Sequence, residues 1–285
     1  MSKVALVADS IACLPREMVE RYGIEIVSPN IYFDGQIYRD WIDISPSDAY
    51  RLLEKAPDLF STSAPPPAAF VEAYRKVGVD AEAVLVITLS SKVSTVYNAA
   101  VAARDLVQGE LNRVRIEVLD SMTATGAEGF VVLAAARAVE NGKGLDGALW
   151  AAKAAMHKVD LLFVLETIRH AYRTGRIPKI ATQLGAWLSV RPMFTWENGV
   201  ARLIGVTRNK EKGLNQLLEE MHRRTGRKPV HVAVHHAGAP EEGERLRSRV
   251  QQEFNCVELW VTEMSPIMGY STGTGALGLA FYAEE

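Results

Sequence analysis

AVLVITLSSKVSTVYNAAVAARDLV, residues 83–107, decides how the chain is read. Val84–Thr88 is a continuous apolar run rich in β-branched residues, as expected of a strand covered on both faces of a parallel sheet. From Val93 onward the apolar residues recur at helical spacing, which predicts a helix over Ser94–Val107. Between the two lie Ser90, Ser91, Ser94 and Thr95, followed by Tyr97, in the turn that enters the helix and in its first turn. Free backbone N–H groups and the positive end of the helix dipole favour an anion there, the dipole contributing roughly 0.3–1 kcal/mol. Neutral hydroxyl donors in that place suit a carboxylate or a phosphate. The same pattern also fits a plain helix cap, so the rest of the chain has to decide between them.

Working outward, strands over Val4–Ala8, Ile24–Val27 and Arg115–Leu119 alternate with helices over Pro15–Tyr22, Pro46–Lys55, Pro67–Val77 and Gly126–Glu140. That alternation predicts an α/β domain with a mainly parallel sheet. NIYFDGQIYRD, residues 30–40, interrupts it as a hairpin turning at Asp34-Gly35. After His157 the texture changes. LLFVL (161–165), VRPMFTW (190–196), ARLIGVT (201–207), PVHVAVHH (229–236) and VELWVTE (257–263) read as strands with fewer helices between them, two of them joined by a tight Asn198-Gly199 turn. The expectation is two domains: an N-terminal α/β domain over residues 1–157, and a C-terminal α+β domain with a mixed sheet over residues 158–285.

The chain has 285 residues, 48% apolar and 23% charged, enough to bury a core without covalent staples. A net charge of -2 gives no general attraction to nucleic acid or anionic lipid. Cys13 and Cys256 stand far apart with no CxxC, so neither a disulfide framework nor a structural zinc site is expected. MSKVALVADS leads straight into a strand and no apolar run approaches ~18 residues, so secretion and membrane spanning are not expected and a cytoplasmic setting is.

Three further hydroxyl clusters accompany the first. Ser61-Thr62-Ser63 precedes a proline run and a helix; Asp9-Ser10 ends the first strand; Asp120-Ser121-Met122-Thr123 ends the Arg115 strand. Ligands of open parallel sheets bind outside the carboxyl ends of the strands, so three such ends predict a site on one rim. Arg173, Arg176, Lys179 and Arg208 fall in turns of the second unit, either as a solvated positive face or as a clamp for phosphate or an acidic partner. HRRTGRK, residues 222–228, ends a helix, where cations complement the dipole. Gly273–Gly278 matches GxGxxG, but too little chain follows for a dinucleotide fold; it reads as a turn before a last strand, LGLAFY. His235-His236 reads as an ordinary strand end rather than a metal pair. There is no GxxxxGK[ST] loop, so no ATP site of its own is expected, nor any cofactor, and a serine nucleophile is not expected either.

Taken in order, ADS (8–10), SPNIYFDGQIYRDWIDIS (28–45), TSAPPPAAF (62–70), SSKVSTVYNAA (90–100), LDSMTATGAEG (119–129), RTGRI (173–177), VRPMF (190–194), VTRNK (206–210) and the glycine-rich tail resemble the DegV family. These are the fatty-acid-binding subunits of bacterial fatty acid kinases. The resemblance implies one long-chain fatty acid, its carboxylate held by hydroxyls that match Thr62 and Ser94 and its acyl chain in an apolar tunnel. Ser63, Ser91 and Thr95 are neighbouring candidates. It also implies that Arg176 and Arg208 lie where an ATP-dependent kinase partner delivers phosphate to the acyl carboxylate, with no independent catalysis by this chain. Where the family tail commonly reads HxGPG, Tyr270 is taken here in place of the histidine. A tyrosine can donate a hydrogen bond but not the positive charge or near-neutral titration of that histidine. Thr95-Val96 replaces the usual Gly-Thr after Ser94. Two rival readings are a small-molecule hydrolase or phosphoryl-transfer enzyme built on Asp9 and the hydroxyl rim, and a lipid binder uncoupled from any kinase.

Overall fold

The computed structural model describes residues 3–176 and 190–284. Four parallel strands form the first sheet, β1 (Val4–Asp9), β2 (Glu25–Val27), β6 (Ala83–Thr88) and β7 (Arg115–Asp120), in the order β2-β1-β6-β7. Every residue of β6 is buried, which is why its run has no polar alternation. Helices α3 (Pro67–Gly78) and α4 (Val96–Val107) pack together, as do α5 (Thr125–Glu140) and α6 (Leu145–Met156), and both pairs cover β6. Two shorter helices, α1 (Arg16–Tyr22) and α2 (Pro46–Lys55), complete this part; Ser45 caps α2 by accepting from the Asp48 N–H.

The predicted hairpin is β3 (Asn30–Phe33) and β4 (Gln36–Arg39), turning at Asp34 and Gly35 with φ of 48° and 77°. It belongs to a separate antiparallel sheet, β4-β3-β5, whose third strand β5 (Phe60–Ser63) carries the second hydroxyl cluster.

From Asp160 on, six strands form a mixed sheet in the order β10-β9-β8-β13-β11-β12. They are β8 (Asp160–Val164), β9 (Arg191–Glu197), β10 (Val200–Thr207), β11 (Val230–His236), β12 (Cys256–Glu263) and β13 (Leu277–Ala283). Asn198 and Gly199 turn β9 into β10 with φ of 51° and 84°. Two-residue periodicity splits the sheet cleanly. Leu162, Val164, Val232, Val234, Leu279 and Phe281 face a core shared with α8 (Lys210–Thr225) and α9 (Pro240–Glu253). The alternate residues Leu161, Phe163, Ala233 and Ala280 face the larger core that runs into the parallel sheet. Helix α5 lies between the sheets and packs on β1, β6, β11 and β13. Its approach to the mixed sheet requires glycine at 126, where a Cβ would lie 2.2 Å from His235 Nε2 and 3.0 Å from the Ala233 Cβ. Helices α7 (Arg169–Thr174) and α10 (Pro266–Thr272) pack on each other beside the small sheet. The GxGxxG match opens no helix. It is a turn with Gly273 and Gly275 at φ of 78° and 77°, leading into β13.

Among the described residues no helix is long and apolar enough to cross a membrane, and no cluster of His, Cys, Asp and Glu could hold a metal ion.

Candidate functional site

Strand β5, the turn after β6, the β9–β10 hairpin and α10 meet around a cavity of about 710 Å³, its mouth included. Thr62 and Ser63 come from β5, Ser94 from the turn before α4, and Arg176 from the segment after α7. Leu89, Val93, Val96, Phe163, Trp196, Ala201, Ile267 and Met268 supply an apolar wall, and Ser271 and Thr272 complete it. Two sequence-distant hydroxyl clusters and one arginine therefore share one apolar cavity.

The hydroxyls differ in how free they are. Helix α4 begins at Val96, two residues later than predicted, so Ser94 lies ahead of the helix, and its oxygen accepts only a long 3.4 Å bond from the Val96 N–H. Its proton, like the whole hydroxyl of Thr62, has no partner among the described residues. Ser63 is partly engaged: its hydroxyl lies 3.3 Å from Tyr32 Oη and donates to the Ala64 carbonyl at 3.1 Å. Thr95 occupies the cap position of α4, is exposed, and makes no side-chain capping bond. Ser91 offers its backbone N–H to the Asp120 carboxylate at 3.2 Å. Neither Ser91 nor Thr95 lines the cavity, nor does exposed Arg208, whose carbonyl accepts from Arg191. The Arg176 guanidinium donates to the Thr174 carbonyl at 3.0 Å, and the residue is exposed. Lys179, the remaining member of the basic cluster, falls outside the described residues.

Tyr270 is not where the sequence reading puts it. Its ring packs 5.9 Å from Phe60 and beneath the guanidinium of Arg173 at 5.0 Å, and it does not line the cavity. The neighbouring Ser271 does. The signal was in the spacing: HxGPG places its histidine two residues before the first glycine, and two residues before Gly273 is Ser271.

The strand-end pairs diverge as well. The Asp9 carboxylate accepts from the Ile11 and Leu89 N–H groups at 3.0 and 2.9 Å, inside the fold. Asp120 accepts from Met122 and Ser91, and the Ser121 hydroxyl accepts from the Thr123 N–H. These groups brace the rim loops rather than face a common ligand. Asp9 and Ser10 line a second cleft with Asp40, whose Oδ2 accepts from the hydroxyls of Ser10 and Ser265 at 2.5 and 2.7 Å. Burial raises the Asp9 pKa to about 7. It also raises that of Glu128, beside Asp9 on α5, well above the usual carboxylate range. As an anion Glu128 would find no donor at either oxygen; as a neutral acid it donates to Asp9. That pair is structural.

Phe163, Met268 and Thr272 also border a second, much smaller pocket. Sequence reading missed it because its floor is assembled by the pleat. Phe163 on β8, Gly278 on β13 and His235 on β11 are consecutive partners across three strands, all on one face. Gly278 leaves room there: an added Cβ would lie 3.3 Å from the Leu162 carbonyl and 3.4 Å from the Phe163 Cβ. His235 is neutral, its pKa lowered to about 3 first by burial and then by His236. Its Nε2 accepts from the Gly126 N–H at 3.1 Å, so Nδ1 carries the proton, 3.0 Å from Thr262 Oγ1.

A family model described as "Uncharacterised protein, DegV family" matches residues 3–284. A DegV domain-containing protein of Streptomyces coelicolor is 32% identical over 279 residues, 97% of each chain. The chain also resembles a DegV family protein from Thermus thermophilus solved for its fatty acid binding, with 27% identity, TM-score 0.90, and coverage of 99% of this chain and 100% of that one. A stearic-acid-binding protein of Eubacterium ventriosum is 26% identical with TM-score 0.90, covering 99% of this chain and 98% of that one.

Proposed function

The chain belongs to the DegV family, and from that premise we propose that it binds one long-chain fatty acid in the cavity between β5, α4 and α10. The observation that carries the reading is the polarity of the cavity itself: free hydroxyls of Thr62 and Ser94 with Arg176 stand on one side, and the space behind them is walled by apolar side chains. A fatty acid has the same division. Each buried methylene contributes about 0.8 kcal/mol, so a long acyl chain supplies on the order of 10 kcal/mol, and each hydrogen bond to the carboxylate about 1.5–3 kcal/mol. The chain gives affinity and the hydroxyls give orientation. Ser63 and Ser271 are supporting contacts in this reading.

In the same proposal the protein has no catalysis of its own and presents its carboxylate to an ATP-dependent kinase subunit in the cytoplasm, with Arg176 and Arg208 attending phosphate delivery. Exposed Arg176 at the cavity is what supports this. The rival enzyme reading loses its proposed acid, because Asp9 is fully buried and spends both oxygens on backbone donors. The division into units 1–157 and 158–285 rests on the parallel sheet ending at Asp120 and the mixed sheet starting at Asp160. Native mass spectrometry of the purified protein tests the binding reading. A copurifying mass matching a fatty acid, or stoichiometric uptake of added palmitate, is expected; empty protein that takes up no long-chain acid would sink it.

A further inference from the structure

Asp9, the last residue of β1, holds two residues of the cavity wall. Its Oδ1 accepts from the Ile11 N–H at 3.0 Å, which caps the short 3-10 turn Ser10–Ala12. Its Oδ2 accepts from the Leu89 N–H at 2.9 Å, just past the end of β6. Ile11 and Leu89 are both buried, and both line the cavity. Leu89 also opens the turn that carries Ser94. Asp9 does not line the cavity, so one carboxylate fixes two points of the wall without reaching the ligand.

Asp9 borders the second cleft instead, together with Asp40, Cys13, Arg16 and Glu263. Three ionisable groups act on its charge from the elements packed around it. Glu128 of α5 donates to it as a neutral acid, and is itself kept protonated in part by Asp120 at the end of β7. The charge of Asp40, just past β4, opposes it, and the Cys13 thiol is kept protonated by burial. The Asp9 pKa lies at about 7, raised by burial and lowered by the Leu89 and Ile11 N–H groups and by Glu128. Hydrogen bonds to an ionised carboxylate are roughly twice as strong as those to a neutral acid, so a proton on Asp9 weakens both of its bonds to the wall together.

We propose, resting on the fatty-acid reading above, that Asp9 is a positioning residue of the cavity: its ionised carboxylate holds Ile11 and Leu89 in place, and its protonation loosens the grip on a bound fatty acid. The sign is fixed by which state makes the stronger bonds. Affinity is greatest on the alkaline side, where Asp9 is ionised, and falls on the acidic side.

Titration with a fluorescent long-chain fatty acid from about pH 8.5 to about pH 6 tests this. Wild-type affinity should fall at least about threefold across that range, with a midpoint near 7. Asp9→Asn, which cannot ionise, should bind at the weaker acidic level throughout. Glu128→Leu, which withdraws the donor from Asp9, should move the midpoint to higher pH. In the ligand-free wild-type protein the Ile11 methyl resonance should titrate with the same midpoint as the affinity. A wild-type affinity that is flat over the range overturns the proposal whether or not the variants fold. An asparagine variant that keeps the wild-type profile, an unmoved midpoint in Glu128→Leu, or an Ile11 resonance that does not titrate overturns it equally. Failure of the probe to bind at any pH would instead overturn the fatty-acid reading, and the Ile11 resonance would still report whether Asp9 controls the wall.

Discussion

Ser90 donates a 2.7 Å hydrogen bond to the carbonyl of Gly199, so the turn after the central parallel strand is latched to the β9–β10 hairpin of the mixed sheet. Both residues are buried. The contact is close enough that a Cβ on Gly199 would lie 2.7 Å from that hydroxyl and 3.0 Å from Met122 Cε, at a φ of 84°. The hairpin also carries Trp196 and Ala201 of the cavity wall, so the latch shapes the site without touching a ligand.

Removing the latch should therefore affect both stability and binding. Ser90→Ala leaves a buried carbonyl unpaired and is expected to cost about 1–3 kcal/mol. Gly199→Ala combines the clash with an unfavourable backbone and should cost at least as much. Thermal unfolding measures the first effect and fatty-acid titration the second. An alanine at 90 that changes neither would remove Ser90 from its structural role.

Ser94→Ala combined with Thr62→Val takes away two hydroxyl donors while keeping the shape of the cavity. Loss of hydrogen bonds worth about 1.5–3 kcal/mol each to a carboxylate predicts affinity lower by at least about tenfold. Thr95→Ala and Ser91→Ala, which alter side chains outside the cavity, should stay within about twofold of the wild-type protein. Fluorescence titration with a long-chain fatty acid separates the two classes of variant.

The two arginines should part company. Arg176 lines the cavity and Arg208 does not. In the presence of a fatty acid kinase subunit and ATP, Arg208→Ala is expected to lower acyl phosphate formation at least about tenfold while binding stays unchanged; Arg176→Ala should lower both. Mass spectrometric detection of acyl phosphate, run beside a binding titration, reads the difference. Wild-type protein that yields no acyl phosphate with such a kinase would favour a lipid carrier outside that chemistry.

Stability should fall as the solution becomes alkaline, through Glu128. Its folded pKa is raised by burial first and by the neighbouring Asp9 charge second. The folded state thus keeps a proton that the unfolded chain releases above its ordinary value of 4.5. The stabilisation is complete below that value and is lost as pH rises toward the raised one. Glu128→Gln keeps a hydrogen-bond donor for Asp9 and removes the titration. Its melting temperature should decline less than the wild type's between mildly acidic and alkaline pH; identical slopes would refute the assignment.

Much of the fold was legible because its signals are local. The unbroken apolar run of β6 and the Asp34-Gly35 and Asn198-Gly199 turns each declare their structure within a few residues. Thr62, Ser63 and Ser94 were readable as hydroxyls at element ends, and the structure brings them to one cavity. What stayed hidden depends on orientation or on pairing between distant segments. Tyr270 and Ser271 are adjacent in a short helix, and packing against Phe60 and Arg173 decides which of them faces inward. Asp9, Asp120 and Ser121 resemble ligand groups in sequence, but their oxygens are consumed by backbone N–H groups that only the folded turns supply. Phe163, Gly278 and His235 become neighbours only through strand register.

The central claim is that one cavity holds a fatty acid with its carboxylate against Thr62 and Ser94, and a crystal structure of the protein with palmitate tests it most directly. The account predicts carboxylate oxygens at about 2.5–3.0 Å from both hydroxyls and the acyl chain along the apolar wall of Leu89, Val96, Phe163 and Trp196. Electron density for the carboxylate anywhere else, or for the chain in the reverse direction, would contradict it.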